Sequence, residues 1–168
     1  ESIASKLSKD NGLRYTADQI CVSTGGKQAV FNAVMTVCNP GDEVIVIAPC
    51  WVSYVEMIKL AEAVPVVVQS DADYHLSIDN IRAAVTDRTR AVIINTPNNP
   101  TGAVYTEDEL SELAELAKEH NFYILSDEIY EKLIYGEKKH VSIAGLSQDA
   151  YERTITLNGF AKAYCMTG

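Results

Sequence analysis

No apolar run in this sequence approaches the ~20 residues needed to cross a bilayer. Stretches such as Val44 to Ala48 and Val64 to Val68 are each the length of one short strand, so a membrane span is not expected. Basic residues are scarce: 14 Lys and Arg stand against 23 Asp and Glu, for a formal net charge of -9. A balance of that sign repels nucleic-acid backbones and anionic lipid surfaces, and neither is expected as a partner. Cys21, Cys38, Cys50 and Cys165 form no C-x-x-C pair and no short regular spacing, which excludes a disulfide scaffold or zinc site and predicts reduced, mostly buried thiols. His75, His120 and His140 have no partner at i+3 or i+4, so no metal is expected. Neither G-x-x-x-x-G-K-[ST] nor G-x-G-x-x-G occurs, which removes the usual fingerprints of nucleotide and dinucleotide binding.

What is present is a chain of 168 residues with 47% apolar content. That suffices for one compact domain burying roughly 70% of the surface its unfolded chain exposes. Short β-branched runs alternate with helical patterns. Ile20 to Ser23, Glu43 to Ala48, Val64 to Gln69, Ala91 to Asn95, Phe122 to Ser126 and Thr154 to Asn158 read as strands, mostly apolar on both faces. Lys27 to Cys38, Val52 to Glu62, Ile78 to Val85 and Glu107 to Glu119 read as helices, the last opened by a Thr106/Glu109 capping box. This alternation predicts an α/β fold: a three-layer α/β/α arrangement around a mostly parallel sheet, with ligands bound outside the carboxyl ends of the strands.

The loops at that edge carry the chemistry. Thr24-Gly25-Gly26-Lys27-Gln28 leads directly into a helix, where two glycines allow close backbone approach and free N–H groups suit a phosphate, although a tight turn alone also needs glycine. Pro49-Cys50-Trp51 places the single tryptophan where its ring could stack on a flat ligand or simply pack in the core. Thr96 to Gly102 is a loop stiffened by prolines that presents Asn99. Asp127 follows a strand and either faces a ligand or caps the short helix expected after it; Tyr130 lies just beyond. Lys162 follows the sixth strand, a place where a lone lysine is usually a solvated charge. Together the five loops offer a phosphate nest, a stacking ring, an amide, a carboxylate, a phenol and an amine, the inventory that pyridoxal phosphate requires.

With these blocks in order, GGKQAVFNAV, PGDEVIVIAPCWVSY, NTPNNPTGAVY, SDEIYEKLIY and LNGFAKAYCMTG, the sequence resembles the class I aminotransferases of pyridoxal-phosphate fold type I, in particular the branch that includes bacterial and plastid aspartate aminotransferases. The spacing also fits, with Asp127 lying 28 residues beyond Asn99 and Lys162 a further 35 beyond Asp127. The resemblance implies Lys162 as the Schiff-base lysine and proton carrier, Asp127 as partner of the pyridinium, and Asn99 and Tyr130 as donors to the ring oxygen. It further implies Trp51 stacked on the ring, Gly25, Gly26 and Lys27 at the phosphate, and Lys27 with Trp51 and Asn99 around the substrate. The Lys27 ammonium would lie near the distal carboxylate of aspartate or glutamate. Pro49 and Pro100 match positions that are cis in the family. Cys50, Gly159 and Ala161 depart from the family pattern, standing where relatives often carry Tyr, Ser and Ser.

On the same resemblance, residues 1 to 168 are expected to be the central portion of a large domain. Glu1 in place of an initiator Met, and an end at Gly168 directly after a site loop, read as an excerpt. The N-terminal segment, the last strand neighbouring Ile20 to Ser23, the small domain and the two arginines for phosphate and α-carboxylate would lie outside it. The parent would be a homodimer in the cytoplasm, or in an organelle. Rival readings are a lyase or synthase sharing the same cofactor constellation, a non-catalytic sensor domain of a transcription regulator, and a nucleotide-binding Rossmann protein.

Overall fold

The computed structural model describes residues 1–167; Gly168, which ends the LNGFAKAYCMTG block, lies outside them. Five strands form one sheet: β1 (Glu43–Ala48), β2 (Val64–Gln69), β3 (Thr89–Asn95), β4 (Tyr123–Asp127) and β5 (Thr154–Leu157). Their order is β2-β1-β3-β4-β5 and every pairing is parallel. Six helices accompany them: α1 (Ser2–Asn11), α2 (Gly25–Val37), α3 (Ser53–Leu60), α4 (Ile78–Ala84), α5 (Glu107–His120) and α6 (Gln148–Arg153).

β1, β3 and β4 are apolar without alternation because both faces are covered, whereas β2, at the edge, leaves Val64 and Val67 exposed. Ile45, Ile47, Val92, Ile94 and Ile124 point to one side and pack with Ile81 of α4 and Leu110, Leu113 and Leu116 of α5. Val44, Val46, Ala91, Ile93 and Leu125 point to the other and pack with Val30 and Val34 of α2 and Tyr54, Met57 and Ile58 of α3. The period of two within each strand thus feeds two separate cores, and the expected α/β/α layering is present.

Chain order reverses direction at β1: β2 lies on one side of it and β3 on the other. The loops leaving β1 and β3 therefore diverge at their carboxyl ends and leave a crevice, the place where such sheets bind ligands. Cys50-Trp51 and Thr96 to Gly102 are those two loops. Thr106 caps α5 as expected, its hydroxyl accepting from the Glu109 N–H while the Glu109 carboxylate takes the Thr106 N–H. The same carboxylate receives the Leu76 N–H at 2.8 Å and lies 3.0 Å from His75 Nδ1, tying the loop after β2 to the start of α5.

Several expectations are corrected. Ile20 to Ser23 is not a strand, so the described sheet has five strands rather than six. Ile20 has extended backbone (φ −111°, ψ 119°), but extended residues become a strand only when a neighbour supplies a hydrogen-bond ladder, and Cys21 and Val22 instead face solvent. α2 begins two residues early, at Gly25, whose φ of 80° favours glycine. The segment after Asp127 is a pair of turns, not a helix. α1 and α6 are not among the expected helices; α1 buries only Leu7 and α6 only Ala150, so neither carries a run of core positions. The cysteines are free thiols, but Cys21 and Cys165 are exposed and Cys38 and Cys50 half-buried, not mostly buried; short loops and helix ends hold them. Pro49 and Pro100 follow cis bonds as expected, and Pro97 does too.

Candidate active site

Asp127 is the last residue of β4, one position deeper in the sheet than expected, and is nearly fully buried. Its backbone carbonyl accepts from the Thr96 N–H at 3.2 Å and from Asn95 Nδ2 at 2.9 Å. Its carboxylate has two donors: the Tyr54 hydroxyl reaches Oδ2 at 2.5 Å, and the Ile129 N–H reaches Oδ1 at 3.2 Å. Burial lifts this carboxyl above the ordinary aspartate range, while those two donors, Tyr54 first, pull it back toward the ionised form. Burial and the facing Asp127 charge push the Tyr54 phenol strongly upward, so the hydroxyl stays a donor. Among the described residues no Lys, Arg or His pairs with Asp127. A buried carboxylate held in place by donors yet lacking a countercharge fits a cationic ligand atom, such as a protonated pyridine nitrogen.

The structure joins Asn99 and Tyr130. Asn99 Nδ2 donates to the Tyr130 hydroxyl at 3.4 Å, and the Asn99 N–H is fixed by Asn95 Oδ1 at 2.7 Å. Asn95 therefore serves both loops, its oxygen on Asn99 and its amide on Asp127. Tyr130 lies in the turns that follow Asp127, where the Glu131 and Leu133 N–H groups return to the Glu128 and Tyr130 carbonyls.

Gly25, Gly26 and Lys27 form the first turn of α2, which has no side-chain cap; Gln28 instead reaches back to the Thr24 N–H at 2.6 Å. The open N–H groups and the positive end of the helix suit a phosphate. The Lys27 ammonium lies over the Trp51 ring, 5.1 Å from its centroid, and Trp51 meets Tyr54 edge-on with centroids 5.3 Å apart. Trp51 thus links the first turn of α2 to the support of Asp127. Lys162 lies in the exposed turn after β5, and no hydrogen bond joins its side chain to the other site residues among those described.

Sequence reasoning passed over Tyr54 and Asn95. Tyr54 sits three residues beyond Trp51 in the first turn of α3, a spacing that places both rings on one side of that turn. Behind the site lies a second polar cluster. Ser126 and Ser142 hydroxyls donate to Glu128 Oε1 at 2.9 and 2.8 Å, His140 Nε2 lies 2.8 Å from Oε2, and Lys6 with Asn11 holds Glu131. Glu128, Glu131 and His140 have ligand atoms within 4.8 Å of one another, but these carboxylates are already occupied by protein donors. The cluster reads as a brace beneath the turns that carry Tyr130. No helix among the described residues is long and apolar enough to cross a membrane.

A parallel sheet with a switch-point crevice, an uncapped glycine-rich helix start and a buried, donor-supported carboxylate define an α/β domain whose strand-end edge suits an anionic and a cationic ligand group together. The chain belongs to the family described as aminotransferase class I and II, which it matches over residues 1–168. It is 50% identical to a probable aspartate/prephenate aminotransferase of Thermus aquaticus, over 100% of this chain and 43% of that protein. Among solved structures it resembles the Thermus thermophilus aspartate aminotransferase with maleate (TM-score 0.95, 48% identity, 100% of this chain, 44% of that one). It also resembles the aromatic aminotransferase of Pyrococcus horikoshii OT3 (TM-score 0.96, 41% identity, 99% and 45%). The chain spans less than half the length of these relatives.

Proposed function

We propose that residues 1 to 168 are the central portion of the pyridoxal-phosphate-binding large domain of an aminotransferase that moves an amino group between aspartate or glutamate and a 2-oxo acid. The observation that carries this reading is Asp127: a buried carboxylate, supported by Tyr54 and Ile129 and lacking a countercharge, at the edge where all the site loops converge. When bound, pyridoxal phosphate supplies an aldehyde that amines attack and a ring that accepts electrons.

This chain's residues do the rest. The first-turn N–H groups of Gly26 and Lys27 would hold the phosphate, and the Trp51 ring would offer a face for the flat cofactor. Asp127 keeps a proton on the ring nitrogen by charge. Asn99 and Tyr130, already joined to each other, donate to the ring oxygen and fix the ring's rotation. Lys162 would supply the amine that holds the cofactor through its aldehyde, with loss of water, and as a free amine would hold and move a proton at Nζ. The Lys27 ammonium, poised over Trp51, meets the distal carboxylate of an acidic substrate. The aspartate in the relatives' names and the maleate in one solved structure support a dicarboxylate substrate. We place the parent protein in the cytoplasm as a homodimer working on small molecules, with no nucleic-acid partner.

Borohydride reduction of the full-length protein, followed by peptide mapping, tests the reading. The pyridoxyl group is expected on Lys162 alone. Finding it on another lysine removes the assignment, and failure to bind pyridoxal phosphate removes the function.

A further inference from the structure

Ile129 touches three of the site's parts at once. Its N–H holds Asp127 Oδ1, and its side chain is buried between the start of α2 and the turn leading to Lys162. A Cβ placed on Gly159 would stand 2.8 Å from Ile129 Cδ1, a separation that real side chains essentially never show. A Cβ on Gly26 would stand 3.6 Å from the same methyl and 4.0 Å from Cγ1. Neither glycine has a positive φ. At 159 the demand for glycine is therefore steric and is set by one methyl group, whereas at Gly25 it is conformational.

Resting on the cofactor reading above, we infer that Ile129 is a positioning residue: its δ-methyl sets the separation between the phosphate turn at Gly26 and the Gly159 to Lys162 turn, while its backbone orients Asp127. Residues 129 and 159 then form a size-exchange pair. A side chain at 159 has to displace either the Ile129 methyl or its own turn. The Ile129 methyl turns on χ2 and its swing is limited by the burial of the side chain, while the turn after β5 is partly exposed and lightly held, so the turn takes up part of the displacement. Lys162, three residues on, moves with it. Removing the methyl frees the space.

The test uses the full-length protein as G159A, I129V and the double variant, with pyridoxal phosphate as the probe. G159A is expected to raise the cofactor's dissociation constant about tenfold, within the range of overpacking effects. It is also expected to displace the pH titration of the bound cofactor's visible absorbance, because the amine at Lys162 meets the ring in an altered position. I129V weakens binding by a smaller factor through lost contact. The double variant recovers both the affinity and the titration to near those of the unsubstituted protein, which a merely structural defect at 159 would not do. If G159A does not fold, a folded double variant is the same rescue, and an unfolded one overturns the inference. G159A behaving as the unsubstituted protein, or a double variant no better than G159A, also overturns it. Failure of the unsubstituted protein to bind the cofactor is a different result, which strikes the function itself.

Discussion

Asp127 and Lys162 are the two residues on which the proposed chemistry turns, and they sit in opposite surroundings. Asp127 is buried at the end of a strand laddered on both sides, with Tyr54, Ile129, Thr96 and Asn95 all bonded to it. Lys162 is exposed, in a turn held by the Tyr164 and Cys165 N–H groups on the Phe160 and Lys162 carbonyls. The difference suits the role proposed for each. A group that sets charge by fixed electrostatics works only if it is preorganised, whereas an amine that bonds, releases and carries a proton has to move. The sheet therefore fixes the carboxylate, and a short turn carries the amine.

The sharpest way to break that comparison is to take away the charge while keeping the geometry. Asp127→Asn preserves size and an oxygen acceptor for Tyr54 or Ile129, so the melting temperature of the full-length protein is expected to change little. A neutral amide cannot hold a proton on a ring nitrogen by charge, and kcat is expected to fall about a thousandfold, as for loss of a preorganised electrostatic partner. If Asp127 only ordered the turn after β4, Asn would serve nearly as well and steady-state kinetics would hardly differ.

The next effect concerns the exposed side of the site. Lys27→Ala removes an ammonium that now rests on the Trp51 face. The expected loss in kcat/KM is about tenfold or more for aspartate, the scale of a charged hydrogen bond, and much less for phenylalanine, which has no distal carboxylate. Cofactor affinity falls only modestly, because backbone N–H groups carry the phosphate. Equal losses with both substrates, accompanied by cofactor release, would make Lys27 a phosphate counter-charge instead.

What could be read from sequence divides along the same line. Helices α2 to α5 and five of the six expected strands were legible from their apolar patterns, and those of Val44 to Ala48 and Ala91 to Asn95, which bury nearly every residue, leave little choice. Ile20 to Ser23 misled because β-propensity reports the residues and not the missing ladder partner. The Thr106/Glu109 box could be read locally, but the third use of Glu109, on the Leu76 N–H, joins positions 33 apart and has no local signature. Tyr54 went unassigned for the same reason: its partner Asp127 is 73 residues away and is brought to it only by the fold. Loop chemistry announces itself in sequence, and the buried supports behind it do not.

The smallest expected effect sharpens the comparison most, because it asks how much of the Asp127 setting comes from one hydroxyl. Tyr54→Phe keeps the buried ring and its edge contact with Trp51 and removes only the donor to Oδ2. Donation to a carboxylate favours its charged form, so Tyr54 lowers the Asp127 pKa against a burial that raises it. Without the hydroxyl the balance moves toward burial and the pKa rises. At any pH on the acid side a smaller fraction of Asp127 is then ionised, and the acid limb of the kcat/KM profile is expected to move to higher pH. The loss should be about three- to tenfold at the acid end, the scale of one ordinary net hydrogen bond, and should shrink as pH rises and both proteins become fully ionised. A Tyr54 that only packs would leave both the limb and the rate in place, because Phe keeps the packing, so the pH profile, more than the rate at one pH, decides between the two roles.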